Sequence, residues 1–236
     1  MISLKDIGRW TDVSAVRTDV TMAEVEEMIK VVRECRCICA SPMPWITKYV
    51  VDALADRPET VVTGVVGFPS GAVTTAIKTA EAKEHIRSGC RELDMVLNVS
   101  ALRSGKWQYV FEDIRAVAEA AEGFPLKVIL EVCYLTDDEI CRAAETAVRA
   151  GAAFVKTGTG WGTAPTTVKH IRLIRRIVGA SAKIKAAGGV RDLDTLLAMQ
   201  EAGCDRFGIG VRSAKAIFSE AYRRAGVSLP ACLTRP

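Results

Sequence analysis

Short apolar, β-branched runs alternate with amphipathic stretches along almost the whole chain. The runs fall at residues 36–40, 61–66, 93–97, 126–132, 154–156, 182–185 and 206–209, and each predicts a buried strand. An eighth strand is expected around residues 11–14, from its place in the alternation rather than from periodicity. Between the runs the apolar spacing changes to three and four. Trp107, Val110, Phe111, Ile114, Val117, Ala118 and Ala121 form one such stripe, the mark of a helix with one buried face. Thr136 followed by Glu139 reads as a capping box opening the next helix, which Gly151 closes; Gly179, Gly203 and Gly226 stop three later ones. Nearly continuous apolar strands between amphipathic helices imply a parallel sheet covered on both faces. Eight such units in 236 residues predict an α/β fold closed as a (β/α)8 TIM barrel. No linker, low-complexity stretch or charge block interrupts it, so residues 1–236 are expected to form one domain.

A faint repeat refines the expectation. Gly89-Cys90-Arg91-Glu92-Leu93-Asp94, Gly151-Ala152-Ala153-Phe154-Val155-Lys156 and Gly203-Cys204-Asp205-Arg206-Phe207-Gly208 each pair a helix-stopping glycine with a strand. Five residues beyond each glycine stand Asp94, Lys156 and Gly208. If the units are equivalent, these three share one layer and one face of the barrel. In such barrels the chemistry lies at the C-terminal mouth.

Composition narrows the function classes. With 49% apolar and 25% charged residues this is an ordinary globular chain, and a net charge of +4 is too mild and dispersed to point to nucleic acid. The basic cluster from Lys169 to Arg176 has helical spacing and reads as a solvated face; at most the charge favours an anionic metabolite. No apolar stretch is long enough to span a membrane, and Met1-Ile2-Ser3-Leu4-Lys5-Asp6 lacks the apolar core of a signal peptide, so a cytoplasmic protein is expected. Cys35, Cys37 and Cys39 alternate and would share one face of a strand, while His85 and His170 have no metal-ligand spacing. The eight cysteines are expected to be reduced, and neither metal nor cofactor is expected.

The candidate chemistry centres on Lys156, where an apolar strand breaks into Thr157-Gly158-Thr159-Gly160. A lysine there either extends its ammonium to water or is buried, and burial favours the neutral amine that a Schiff base needs. Asp94 lies within an apolar strand, where a carboxylate must find a cation, in a structural ion pair or in a site. Lys183 and Lys185 share parity, but Lys185 is nearer the C-terminal end and, beside Lys156, would depress its pKa further. Gly158, Gly160 and Gly162 after one strand, and Gly188 and Gly189 after the next, make either tight βα loops or a backbone cradle for phosphate, with Arg191 as charge partner.

Four segments, Gly67-Phe68-Pro69-Ser70-Gly71-Ala72, Glu92-Leu93-Asp94-Met95-Val96, Phe154-Val155-Lys156-Thr157 and Lys185-Ala186-Ala187-Gly188-Gly189-Val190-Arg191, resemble in order and spacing the motifs of the deoxyribose-phosphate aldolase family. The similarity runs from about Asp12 to about Phe218. It implies a (β/α)8 barrel without a metal, Lys156 as the Schiff-base lysine, Lys185 as the cation that tunes it and Asp94 as the acid of a proton relay. The implied reaction is reversible cleavage of 2-deoxy-D-ribose 5-phosphate to D-glyceraldehyde 3-phosphate and acetaldehyde. Asp12, Cys39, Thr157, Gly160, Gly188, Gly189, Arg191, Gly208, Gly210 and Arg212 are the expected substrate- and phosphate-binding set. The chain departs from the family after the last strand, where Gly208-Ile209-Gly210-Val211-Arg212-Ser213 replaces a glycine followed by two phosphate-holding serines and leaves Arg212 to supply charge. Gly158 stands where a serine is usual, Trp161 is bulky beside the phosphate loop, Asp12-Val13-Ser14-Ala15 lacks the usual threonines, and Leu233-Thr234-Arg235-Pro236 stands where some members end in a tyrosine. Two other readings stay open: a Schiff-base aldolase for another carbonyl substrate, with an altered phosphate requirement, and a non-catalytic sugar-phosphate-binding barrel. The expected partners are small aldehydes and sugar phosphates; barrels of this size occur as monomers and as dimers, so a homodimer is compatible with the sequence.

Overall fold

The alternation closes on itself in the computed structural model, which describes residues 3–234. Met1, Ile2, Arg235 and Pro236, the ends of the expected domain, lie outside the described residues. The strands β1 (Thr11–Ala15), β2 (Cys39–Pro42), β3 (Val61–Val66), β4 (Glu92–Val96), β5 (Leu126–Ile129), β6 (Phe154–Lys156), β7 (Lys183–Ala187) and β8 (Arg206–Gly210) pair in parallel in that order, and β8 returns to β1. Helices α1 (Met22–Glu34), α2 (Thr47–Ala53), α3 (Thr75–Arg87), α4 (Val99–Arg103), α5 (Trp107–Ala120), α6 (Asp137–Arg149), α7 (Val168–Val178), α8 (Leu193–Glu201), α9 (Val211–Ala225) and α10 (Ala231–Thr234) follow in the connections and after β8. The expected (β/α)8 barrel is what the chain forms. Among the described residues, no helix is long and apolar enough to cross a membrane.

The hydrophobic core lies outside the barrel wall. Outward residues such as Val13, Met95, Val128, Val155, Ile184 and Phe207 are fully buried with helix residues such as Val110, Ile114 and Val117 of α5. Each such aliphatic side chain contributes about 1.5–3 kcal/mol on burial. The inward side chains are different. Alternate strands of such a barrel fill its interior in layers of four side chains. The pairing registers, stepped up two residues for every second strand as the barrel's shear requires, give those layers directly. The lowest is Cys39, Glu92, Phe154 and Arg206. Above it come Asp12, Thr63, Lys127 and Lys185. The third, next toward the C-terminal mouth, is Ser41, Asp94, Lys156 and Gly208. The repeat is therefore structural: Gly89, Gly151 and Gly203 hold φ values of 103, 102 and 103°, a conformation open to glycine, and each launches an equivalent strand.

Several boundaries move, each for a local reason. The strand expected at 36–40 begins only at Cys39, because α1 runs on to Glu34 and Arg36 then turns at φ 52°. Cys35 and Cys37 consequently do not share a strand face with Cys39. They lie in the outer core, with Cys35 Sγ 3.8 Å from Cys232 Sγ, while Cys39 points into the barrel. All eight thiols are free. The run expected at 126–132 stops pairing at Ile129, since Glu131 is left-handed, with φ 56° and ψ 60°. β7 continues to Ala187, two residues past its expected end. The capping box of Thr136 and Glu139 is present in full. Both histidines are structural: the His85 ring packs on Gly64 with Nε2 2.9 Å from the Val65 carbonyl, and His170 completes the cap of α7.

Candidate active site

Lys156 ends β6 with 7% of its surface exposed, and its Nζ donates to Asp94 Oδ2 at 2.6 Å. Asp94, fully buried, also accepts from Lys185 Nζ at 2.7 Å, from Lys127 Nζ at 2.7 Å and from the Thr63 hydroxyl at 3.0 Å. Lys185 donates in addition to Asp12, which accepts Arg206 Nε at 2.6 Å. Glu92 completes the group beneath, paired with Lys127 at 2.6 Å and with Arg206 at 2.9 Å. Three carboxylates (Asp12, Glu92, Asp94) thus meet four cationic side chains (Lys127, Lys156, Lys185, Arg206) in one continuous network inside the barrel.

With every member charged, this network would hold one uncompensated positive charge away from water, which is costly. Lys156 is where the excess is relieved. Burial pushes its pKa down, Lys185 and Lys127 push the same way, and Asp94 only partly opposes them, leaving the amine at about 8. Its neighbours shift oppositely. Lys185 is buried too, but Asp12 and Asp94 outweigh burial and raise its pKa. Burial alone would raise the Asp94 carboxyl, yet Lys127, Lys156 and Lys185 hold it well below the usual carboxylate range. Neutral Lys156 leaves three cations against three carboxylates.

Above this network opens a cavity of about 200 Å³ at the C-terminal mouth. Of the expected residues it brings together Lys156, Lys185, Gly160, Gly188, Gly189, Arg191, Gly208 and Gly210. Asp94, Asp12 and Cys39 lie below its floor, fully buried. The Thr157 hydroxyl donates to the Ala187 carbonyl at 2.9 Å and accepts the Ala187 amide at 3.0 Å, a strut between β6 and the end of β7. Arg212, on the first turn of α9, is exposed and is not among the lining residues, whereas Ser213 is. At position 208 a side chain would be crowded. A Cβ there would meet Lys185 Cε at 3.0 Å and Ala187 Cβ at 3.1 Å, so Gly208 leaves the lysine stem room to reach Asp12.

Sequence reasoning missed several contributors. Lys127, Glu92 and Arg206 were readable only as residues of apolar strands; for Glu92, two before Asp94, and Arg206, two before Gly208, shared parity was the available signal. Trp161 crosses the mouth, its indole N–H donating to the Val16 carbonyl at 3.1 Å, and Phe68 meets its ring edge-on with centroids 6.2 Å apart. Arg17, also lining the cavity, is paired with Glu24 at 2.7 Å and Asp19 at 2.9 Å. Asp12, Cys39 and Glu92 bring potential metal-ligand atoms within 4.8 Å of one another. Lys185, Lys127 and Arg206 already engage both carboxylates, however, and burial pushes the Cys39 thiol well up, so this donor set suits an ion-pair knot and not a cation site.

Comparison with known proteins places the chain among aldolases. Residues 11–220 match the model of the DeoC/LacD family aldolases. The chain is 42% identical over 210 residues to the deoxyribose-phosphate aldolase of Rhizobium meliloti, covering 89% of this chain and 85% of the relative. It is 40% identical over 216 residues to that of Carboxydothermus hydrogenoformans, covering 88% and 92%. Among solved structures the aldolase QR15 superposes with a TM-score of 0.86 at 35% identity, covering 95% of this chain and 98% of that one.

Proposed function

The chain belongs to the DeoC/LacD aldolase family, and from that premise we propose that it cleaves 2-deoxy-D-ribose 5-phosphate reversibly through a Schiff base on Lys156. The observation that carries the reading is the state of that lysine. It is a buried amine at the cavity floor, lowered to about 8 within a network that is charge-balanced when the amine is neutral. With that value, about one molecule in ten holds a neutral nucleophile at pH 7.

Neutral Lys156 adds through Nζ to the substrate's aldehyde carbon, and loss of water gives an iminium. The iminium draws the electrons of the bond between C2 and C3, while the C3 hydroxyl gives up its proton and leaves as the carbonyl of glyceraldehyde 3-phosphate. The enamine is then protonated at C2, and hydrolysis frees acetaldehyde and the amine. Lys185 is the member of the relay that reaches the cavity. Its ammonium, hydrogen-bonded to both Asp94 and Asp12, exchanges protons with the substrate, and Asp94 takes up the charge change beneath it. The glycine amides after β6 and β7 and the Arg191 guanidinium form the phosphate end.

Borohydride trapping with acetaldehyde and with 2-deoxyribose 5-phosphate, followed by peptide mass mapping, tests the reading. An adduct on Lys156 is expected, and its absence, or an adduct on another lysine, overturns it. Trapping should accelerate as pH rises through about 8, where the amine loses its proton. In Lys185→Leu a cation that depresses Lys156 is gone, so the rise should move to higher pH and turnover should fall; an unmoved profile removes Lys185 from the tuning role. A second reading, the same chemistry on another carbonyl compound, is favoured by the exposed Arg212 outside the cavity lining. Cleavage of unphosphorylated 2-deoxyribose as fast as the 5-phosphate would establish it.

A further inference from the structure

The layer that holds Asp94, Lys156 and Gly208 has a fourth member, Ser41 of β2. In a ring of eight strands β2 stands diametrically across from β6, so Ser41 faces Lys156 over the cavity floor. Ser41 is 4% exposed and lines the cavity, and its hydroxyl, itself buried, has no hydrogen-bond partner among the described residues. The other buried side-chain atom in that condition, Arg57 Nε, lies in the connection before β3, at the opposite end of the barrel. Buried or half-buried hydroxyls around it are engaged: Ser14 donates to the Ile209 carbonyl, Thr63 to Asp94, and Thr157 and Thr166 to the Ala187 carbonyl. A buried hydroxyl left unmatched costs about 1–3 kcal/mol, and a group aimed into a cavity recovers that when a ligand supplies the partner.

We infer that Ser41 is a specificity-determining residue, whose hydroxyl hydrogen-bonds the α-hydroxyl of the acceptor aldehyde and so selects hydroxyaldehydes over simple alkanals. This rests on the aldolase reading above. The geometry fits the substrate's own layout. The donor carbons are tethered to Lys156 on one wall, the acceptor carbons extend away from it, and the first hydroxyl beyond the bond being made or broken meets the opposite wall. A site that hydrogen-bonds a substrate hydroxyl rejects the analogue lacking it, because its own polar group is then left unpaired.

The test uses a pair of acceptors of nearly equal size, glycolaldehyde and propanal, each condensed with acetaldehyde by the whole enzyme. The ratio of their kcat/KM values is compared between wild type and Ser41→Ala, so that the aldehydes' own hydration cancels. The ratio should fall about tenfold in Ser41→Ala, through loss on glycolaldehyde alone. The melting temperature should stay level or rise, since no intramolecular hydrogen bond is removed, and Ser41→Thr should keep the preference for glycolaldehyde. An unchanged ratio, whether both rates fall together or neither does, overturns the inference while Lys156 trapping with acetaldehyde remains intact. Loss of trapping in the wild type itself takes down the aldolase reading, and this inference with it.

Discussion

Lys156→Ala should lose retro-aldol turnover by a factor on the order of 10⁴ or more, because Lys185, the other lysine lining the cavity, is held as an ammonium by Asp12 and Asp94 and every later step depends on the iminium. It should nevertheless fold. The wild-type network balances with Lys156 neutral, so its removal leaves three cations facing three carboxylates, and Asp94 keeps its hydrogen bonds from Lys127, Lys185 and Thr63. The melting temperature of the variant should therefore lie close to that of the wild type while borohydride trapping vanishes. A variant that unfolds would show that the amine is a structural cation, and would count against the neutral-lysine account of the site.

Lys127→Met has nearly the reverse signature. Lys127 is fully buried and serves Asp94 and Glu92 at once, and those carboxylates raise its pKa despite its burial. Without it, three carboxylates share the two remaining fixed cations, Lys185 and Arg206. Breaking a buried ion pair from one side typically costs about 3–5 kcal/mol, because the remaining charge cannot reach water. A fall of that size in unfolding free energy should appear in the urea midpoint at neutral pH. A midpoint matching the wild type would mean that the network is not held charged. Lys127 also helps depress Lys156, so the folded fraction should trap acetaldehyde only at higher pH.

These two lysines also mark how far the sequence could be read. Lys156 was legible because its strand is short and ends in a glycine loop, and because the equivalent glycines at 89, 151 and 203 placed it level with Asp94. Lys127 was not. It sits mid-run in an apolar strand, and which way it faces is decided by pairing with β4 and β6, which no local pattern reports. The barrel itself followed from the alternation of runs. Two strands proved shorter than their apolar runs at single residues with positive φ, Arg36 and Glu131, side chains that give no advance notice of a left-handed turn. Ser41 was invisible for a different reason: a serine's importance here is the absence of a partner, which only the assembled interior defines. The parity of Lys183 and Lys185 was settled by depth, since Lys183 is exposed at the bottom of the barrel and Lys185 is buried among the carboxylates.

The distribution of those interior charges along the chain has a consequence for how the barrel comes together. Asp12, Glu92 and Asp94 all belong to the first four strands, and Lys127, Lys156, Lys185 and Arg206 all belong to the last four. Each half-barrel therefore carries interior charge of a single sign. Neither can close over its own interior, because like charges would be desolvated together with no counter-charge. Desolvation of these charges is compensated only when both halves are in place. Only the joined barrel pairs these charges, and the one amine left in surplus when they are paired is Lys156, on β6.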